Sequence, residues 1–196
     1  MMSTPVRIVA VTAALATAVV VSSCSKTEGV SQHASATSTT SETVAAHNAD
    51  DVMFAQMMIP HHQQAVELAA LAPEHTTNQA VLTLASTISA EQQPEINAMT
   101  ALLLQWDVDP KATPDHGGSG MQGMVDDATM AKLKSLNGPE FDTLWLQAMI
   151  GHHQGAIDMA KAEIANGQSA DMTAMAKTMV TAQQAEINQM KQMLGG

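Results

Sequence analysis

Two similar stretches of sequence determine the fold: residues 58–69, MIPHHQQAVELA, and residues 149–160, MIGHHQGAIDMA. Each contains two adjacent histidines that begin three residues after a methionine, followed by an apolar pattern with helical spacing. The stretches lie 91 residues apart, and the same offset relates AEQQPEINAM at 90–99 to TAQQAEINQM at 181–190 without a gap. The chain therefore contains two copies of one unit, and we expect a pseudo-two-fold structure.

Each copy is predicted to form a pair of helices. In the first copy, Phe54, Met58, His61, Ala65 and Leu68 recur at three- and four-residue steps, which places them on one face of a helix. Short breaks between helices produce antiparallel neighbours, so two such pairs predict an all-α four-helix bundle. No segment alternates convincingly between apolar and polar residues, which argues against a sheet.

The predicted boundaries follow from helix caps and breaks. Asn48 or Asp50 can cap the first helix, a break is expected around 73–78, and Asn166-Gly167 is a strong turn signal. The folded domain is predicted to span 50–196, with repeat 1 at 50–106, a loop at 107–139 and repeat 2 at 140–194.

The first 24 residues are predicted to be an export signal. Arg7 precedes an apolar run at 8–21, which is too short for a confident membrane span. The run ends in VSSC, which looks like a lipoprotein processing site. Its cysteine, Cys24, is the only one in the chain and would become lipidated. The alternative is an ordinary cleaved signal with a stray thiol.

The Ser- and Thr-rich segment 25–49 is predicted to be a disordered tether, because it has too few large apolar residues to form a core. His33 and His47 lie in it and are expected to be solvated. We therefore expect an exported lipoprotein that is anchored to the cell membrane and faces the extracytoplasmic space.

Net charge and methionine content indicate which classes of partner the protein can bind. A formal charge of −11 argues against nucleic acid, whose phosphates attract basic surfaces. The chain has sixteen methionines, fourteen of them after the export signal. Methionine is both a flexible core residue and a soft thioether ligand, so each one needs its own assessment.

Polar residues fall on the predicted apolar faces. At 100° per residue, His61 lies inside the face of its helix and His62 lies at the edge, with Met58 one turn earlier. A buried carboxylate without a partner is costly, so those histidines or a shared ion are the expected partners of Glu95. The same geometry places six further residues on or beside the predicted apolar faces: Gln92, Met149, His152, His153, Gln183 and Glu186.

Two interpretations of these polar residues remain open. The histidines and glutamates could form hydrogen-bonded pairs that fix helix register, or the histidines could bind metal. Metal binding is favoured, because four histidines, two glutamates and two glutamines are more polarity than register requires. Imidazole with thioether indicates copper, and the thioether favours Cu(I).

Several other residues have less certain roles at the predicted metal site. Met57 is a candidate ligand or supporting residue, like Glu95, Glu186, Gln92 and Gln183. Three loop residues could take a soft ion or could belong to a flexible glycine linker: His116, Met121 and Met124. Three methionines are expected in the core rather than at a metal: Met99, Met159 and Met190.

A ferritin-like di-iron oxidase is the main enzyme alternative. Such enzymes need Glu-x-x-His on two helices and two further glutamates, and this chain has no Glu-x-x-His. A structural or partner-binding bundle without metal is the other alternative. We expect a protein that needs no catalysis.

FAQMMIPHHQQAVELA, GMQGM, EFDTLWLQAMIGHHQGAIDMA and AQQAEINQM resemble the family known as domain of unknown function 305. The resemblance covers about residues 50–194 and implies a ferritin-like helical bundle. It also implies export and, as in the members of the CopM type, copper binding and copper tolerance. The motif residues carry over as Met58, His61, His62, Met149, His152 and His153.

Two departures from the family pattern bear on the site. Ala148 stands where the first copy has Met57, and the central loop has fewer methionines than the richest members.

The expected function is to buffer, sequester or hand on copper in the cell envelope. A copper donor or acceptor protein is an expected partner, and other soft ions such as silver could also bind.

Overall fold

The computed structural model describes residues 46–112 and 121–195, and in these residues the chain forms five α-helices and no strand. The helices are α1 Ala49–His75, α2 Gln79–Gln105, α3 Asp127–Leu133, α4 Gly138–Asn166 and α5 Ala170–Met193. The four long helices confirm the predicted all-α four-helix bundle.

Three of the four long helices, α1, α2 and α5, begin at side chains that accept hydrogen bonds from free N–H groups of the first turn. Asn48 accepts hydrogen bonds from the N–H groups of Asp50 and Asp51, and Asp51 in return accepts from the Asn48 N–H at 2.6 Å. This is the capping box expected at a stable helix start. Asn78 and Ser169 cap α2 and α5 in a simpler way, so each hairpin turn also starts the helix that follows.

The break predicted at 73–78 is too wide. Helix α1 continues through Pro73 to His75, and only residues 76–78 separate it from α2. Pro60 and Pro94 also lie inside helices. Proline removes one backbone hydrogen bond without necessarily ending a helix, and packing of the apolar face can offset that loss.

Helices α1 and α4 form the central antiparallel pair. The Asp51 carboxylate near the start of α1 accepts from the Ser169 N–H beyond the end of α4, at 2.9 Å. Further along, the buried Trp145 indole N–H of α4 donates to the Leu68 carbonyl of α1, at 2.8 Å. Helix α2 packs against α1, α5 packs against α4, and α2 and α5 also touch.

The core consists of two hydrophobic clusters. One contains Leu68, Leu84, Ile88, Trp145 and Ile187, among others. The other includes Phe54, Ile96, Met99, Met172 and Met179. Each large apolar side chain buried in this way contributes about 1.5–3 kcal/mol, so the two clusters hold the bundle on either side of its middle.

The segment between the repeats contains the short helix α3, which was not predicted. The Asp126 side chain caps it by accepting from the Thr129 N–H at 2.7 Å. The segment is tied to α1 through Gln64, whose side chain donates to the Val125 carbonyl and accepts from the Val125 N–H, both at 2.8 Å. The segment therefore packs across the bundle.

Several expectations lie outside the described residues. These are the export signal 1–24 with Cys24, most of the tether with His33, and the loop residue His116. In the part that the structure describes, none of the helices combines the length and apolar character needed to cross a membrane.

Candidate functional site

Four buried histidines lie at the middle of the central helix pair, and we call them the histidine layer: His61, His62, His152 and His153. Their side chains are at most 1% exposed. The rings of His61 and His152 meet across α1 and α4 with centroids 3.8 Å apart and planes tilted by 39°. The structure therefore brings the two sequence motifs together.

The outer histidine of each pair binds a glutamate on the neighbouring helix. His62 Nε2 lies 2.8 Å from Glu95 Oε2 on α2, and His153 Nε2 lies 2.8 Å from Glu186 Oε2 on α5. With the proton on Nε2, each imidazole donates to the carboxylate and leaves Nδ1 with a free lone pair. Histidines that bind metals are commonly oriented by such a carboxylate.

All four histidines keep Nδ1 without a hydrogen-bond partner among the described residues. His61 Nε2 donates to the Gln122 carbonyl at 3.2 Å, while neither ring nitrogen of His152 has a hydrogen-bond partner in the described chain. A buried polar atom without a partner costs about 1–3 kcal/mol. Four such nitrogens lie in one layer.

The central imidazoles are neutral at physiological pH. Burial lowers the pKa of His61 to about 3, and the nearby His62 lowers it further against the opposing hydrogen bond to the Gln122 carbonyl. Burial and then the neighbouring His61 lower the pKa of His152 to about 2. Only a neutral imidazole offers a lone pair to a metal ion, and the rings of His61 and His152 are in that form.

The two motif methionines lie on opposite sides of the histidine layer. Met58 is buried in the cluster of Phe54 and Met99, whereas Met149 is buried in the cluster of Leu68. This placement follows from the antiparallel helices, because each methionine precedes its histidines by one turn. Each thioether therefore accompanies the histidines of its own helix.

No three His, Cys, Asp or Glu side chains converge on one point in residues 46–112 and 121–195. Among the described residues the histidines therefore come together as pairs, of which His61 and His152 are one. Gln92 and Gln183 are each 3% exposed, and both have amide atoms without partners. Their position on the buried faces matches the expected supporting role, which stays a prediction.

The segment that joins the repeats covers the histidine layer, and the sequence analysis missed the residues that hold it there. A Cβ atom on Gly155 would lie 2.0 Å from the Gln122 carbonyl oxygen, so only glycine allows this approach. A Cβ atom on Gly123, whose φ is +86°, would lie 2.8 Å from the Gly151 carbonyl oxygen of α4. Gly155 occupies the position of Gln64 in the first copy, and this mismatch between the repeats was the available signal.

The remaining candidate residues are dispersed. Met57 and Met121 are half-buried and line one cavity, together with Met159. Met99 and Met190 are fully buried in the core, as expected. The half-buried Met124 does not line that cavity, and His47 stacks on Trp106 with ring centroids 4.4 Å apart.

A buried pair of carboxyl groups was also missed. Burial would raise the pKa of Asp51, but the backbone N–H groups of Asn48, Ser169 and Gln168 outweigh this and hold its pKa below the usual value. Burial, followed by the hydrogen bond and charge of Asp51, raises the pKa of Glu163 to about 8. Glu163 therefore carries a proton at neutral pH and donates it to Asp51.

The fold and the layer define a helical bundle built from a repeated hairpin and centred on buried histidines. The chain belongs to the DUF305 family, a domain of unknown function, whose model matches residues 51–194. No curated protein matches the chain.

Solved structures of similar proteins share the fold. A DUF305 protein from Streptomyces coelicolor, described as secreted, is 34% identical, with a TM-score of 0.70 over 74% of this chain and 91% of that chain. A DUF305 fragment from Deinococcus radiodurans is 31% identical, with a TM-score of 0.69 over 76% and 97%. CopM in its Cu(II)-bound form is 32% identical, with a TM-score of 0.62 over 72% and 93%.

Proposed function

We propose that this protein binds copper in the cell envelope and buffers, sequesters or hands on the ion. One observation carries the proposal: four buried imidazoles meet in one layer, and each has Nδ1 without a hydrogen-bond partner among the described residues. Burying a polar side chain without a hydrogen-bond partner costs stability, so apolar side chains would pack more favourably at these positions. Packing alone therefore does not explain the four histidines.

The donor set favours copper over other metals. Imidazole nitrogens suit copper in both oxidation states, and the thioethers of Met58 and Met149 favour Cu(I). Zinc sites usually contain cysteines or a third histidine, and calcium requires more carboxylates. CopM, which shares the fold and 30–32% of its residues with this chain, has structures in Cu(I)-, Cu(II)- and Ag-bound forms.

A bundle without metal is supported by one observation. The pairs His62–Glu95 and His153–Glu186, both at 2.8 Å, could by themselves fix the register of the hairpins. This role uses only Nε2 of the outer histidines and leaves the contact between His61 and His152 unexplained. Copper binding accounts for all four side chains.

Titration with Cu(I) in the absence of oxygen, against a competing chelator, tests the proposal. The test variants are His61→Ala/His152→Ala and Met58→Leu/Met149→Leu, the latter retaining side-chain volume while removing sulfur. The control variant His47→Ala/His75→Ala removes two histidines that lie outside the layer.

We expect the histidine variant to weaken Cu(I) binding by at least about tenfold, or 1.4 kcal/mol, and the methionine variant to weaken it as well. The control should bind like the wild type. Equal affinity of the histidine variant and the wild type, or a melting temperature that copper does not change, would refute copper binding and favour the register role.

We also propose that the chain is exported and held at the membrane by a lipid on Cys24, and that the Ser- and Thr-rich segment separates this lipid from the domain. The processing-site pattern at the only cysteine supports this. Mass spectrometry of the mature N-terminus and membrane fractionation of Cys24→Ala would test it. A variant that remains with the membrane would contradict it.

A further inference from the structure

We infer that Asp51 and Glu163 form a proton-dependent latch, which fastens the start of α1 to the turn between α4 and α5. The two carboxyl groups are buried in contact and share one proton. Loss of that proton leaves two negative charges side by side in the core, and separation of α1 from the turn relieves their repulsion. The latch does not depend on metal binding, because neither residue belongs to the histidine layer.

Asp51 provides the ionised side of the latch. Its side chain is fully buried, and its carboxyl oxygens accept from the backbone N–H groups of Asn48 at 2.6 Å, Gln168 at 3.1 Å and Ser169 at 2.9 Å. Backbone N–H groups only donate, so they stabilise the ionised form of this carboxyl group. Two of the three donors belong to the turn after α4, and Asp51 therefore ties α1 to that turn.

Glu163 holds the proton. It lies in the last turn of α4 and is 2% exposed. A Cβ atom on Gly167 would lie 2.1 Å from Glu163 Oε1, so the carboxyl group packs directly on the turn. No N–H or hydroxyl group of the described residues donates to it, and its hydrogen bond is with Asp51. Since Asp51 is ionised, this bond requires Glu163 to be the donor.

The surroundings of Glu163 favour its protonated form. Burial raises its pKa from the ordinary 4.5 to about 8, and the hydrogen bond and charge of Asp51 and the charge of Asp50 act in the same direction. Between these two values the folded protein keeps a proton that the unfolded chain has released. The latch is therefore closed at neutral pH and opens under alkaline conditions.

The other elements around Glu163 supply no positive charge that could replace the proton, within the part of the chain that the structure describes. Lys161 is on the same helix but is exposed, and it points away because two residues turn an α-helix by about 200°. Helix α5 has an exposed acid, Asp171, in its first turn. The part of the joining segment that borders the same cavity as Glu163, residues 121–122, is uncharged.

The first copy builds the equivalent junction without a second acid. At the offset of 91 residues, Asp142 takes the place of Asp51, and Ala72 takes the place of Glu163. The Asn78 side chain donates to the Asp142 carboxylate at 2.9 Å, and Ala72 is fully buried. Alanine therefore packs well at this position of the repeat, so packing alone does not explain the buried glutamate.

The protonation of Glu163 is measured directly by ¹³C NMR of the full-length protein, labelled in the glutamate carboxyl groups and kept free of metal with a chelator. We expect its signal, assigned through its bonds to the backbone, to titrate near pH 8. Titration below neutral pH would overturn the latch, because the pair would then carry two charges in the closed protein. This measurement needs no variant to fold.

Unfolding by urea tests the coupling of this proton to stability. The test variant is Glu163→Gln, whose amide N–H donates to Asp51 at every pH, and the control is Glu140→Gln, at an exposed position of the same helix. As the pH rises toward 8, the equilibrium constant for unfolding of the wild type and of the control should rise, relative to the test variant, by up to about tenfold per pH unit. The same pH dependence in the test variant and the wild type would contradict the latch.

Hydrogen exchange at the turn distinguishes opening from simple loss of the proton. The amides of Gln168 and Ser169, which donate to Asp51, are followed at each pH relative to their rates in an unstructured peptide. Their protection in the wild type should fall by up to about tenfold per pH unit toward pH 8, while in Glu163→Gln it should not change with pH. The control is the amide of Asn78, in the equivalent turn of the first copy. A turn that stays protected in the wild type above pH 8 would overturn the latch, even if Glu163 titrates as expected.

Discussion

The two copies of the repeat form the same histidine–glutamate contact and differ where the joining segment crosses them. The bonds His62–Glu95 and His153–Glu186 have the same atoms and the same length of 2.8 Å. Two residues after each of these histidines, one copy has Gln64 and the other has glycine. Gln64 binds the backbone of Val125 through its side chain.

The glycine, Gly155, acts in the opposite way, because its missing side chain leaves room for the backbone of Gln122 and Gly123. The symmetric residues therefore build the histidine layer, and the asymmetric residues fix the segment that covers it. The comparison shows that a duplicated sequence can keep a shared site while its differences give each copy a separate structural task.

The largest predicted effect concerns the two central histidines, His61 and His152. In metal-free protein the free energy of unfolding should fall as the pH drops below 6.5, because the unfolded state takes up protons there while the folded pKa values stay near 3 and 2. Each histidine contributes up to about 1.4 kcal/mol per pH unit. Urea unfolding with a chelator present, at several pH values, measures the slope.

His152→Gln and His61→Gln should flatten that slope by similar amounts above pH 4, because both folded rings stay neutral there. The control is His75→Gln, which lies outside the layer. A wild-type slope close to zero between pH 6 and pH 4 would contradict the neutral, buried state of both rings.

Gly155→Ala tests the difference between the two copies at the position where the joining segment meets α4. The new Cβ would lie 2.0 Å from the Gln122 carbonyl oxygen, so the covering segment must shift. We expect a loss of about 1–3 kcal/mol, as for other overpacked sites, measured by chemical unfolding.

Gly151→Ala is the matched control, because a Cβ at Gly151 meets no atom within 4 Å. There alanine should stabilise the exposed helix by up to about 1 kcal/mol. Equal effects of the two substitutions would show that the segment does not depend on Gly155.

The two outer pairs should differ modestly in metal affinity. Glu95→Gln and Glu186→Gln each remove the carboxylate that orients a histidine, and such changes typically cost about tenfold or more. The Glu186 side chain is 9% exposed and that of Glu95 is 21% exposed, so we expect the larger loss at Glu186. Competition titration with Cu(I) measures both, and Glu74→Gln, at an exposed position near the end of α1, serves as the control.

Gln64→Ala should give the smallest effect. It removes the two hydrogen bonds to Val125, and we expect a loss of about 1–2 kcal/mol in unfolding free energy. Gln63→Ala, at the exposed neighbouring position, should be nearly neutral. A neutral result at Gln64 would mean that Gly155 alone positions the segment.

The sequence predicted the parts of the fold that depend on periodicity. Helical spacing and the repeat placed His61 and His152 on buried faces, and the buried faces of the second helices placed Glu95 and Glu186 near the histidines. These predictions succeed because each depends on residues one or two turns apart, or on the pairing of neighbouring helices.

The remaining parts depend on contacts between distant residues. The approach of Gly155 to Gln122 and the pairing of Asp51 with Glu163 occur between segments whose relative position no local pattern specifies. Helix α3 has only seven residues, so its apolar pattern is too short to distinguish it from a loop. The continuation of α1 through Pro73 was missed because the packing that offsets its lost hydrogen bond is tertiary.

The two tryptophans give each end of the bundle its own optical reporter. The chain has no tyrosine, so near-ultraviolet emission comes from Trp145 and Trp106 alone. Trp145 is fully buried in the cluster of Leu68, while Trp106 lies in the cluster of Phe54 and stacks on His47. Replacing either tryptophan with phenylalanine leaves a single emitter, whose wavelength and quenching then report the opening of one end of the molecule separately from the other.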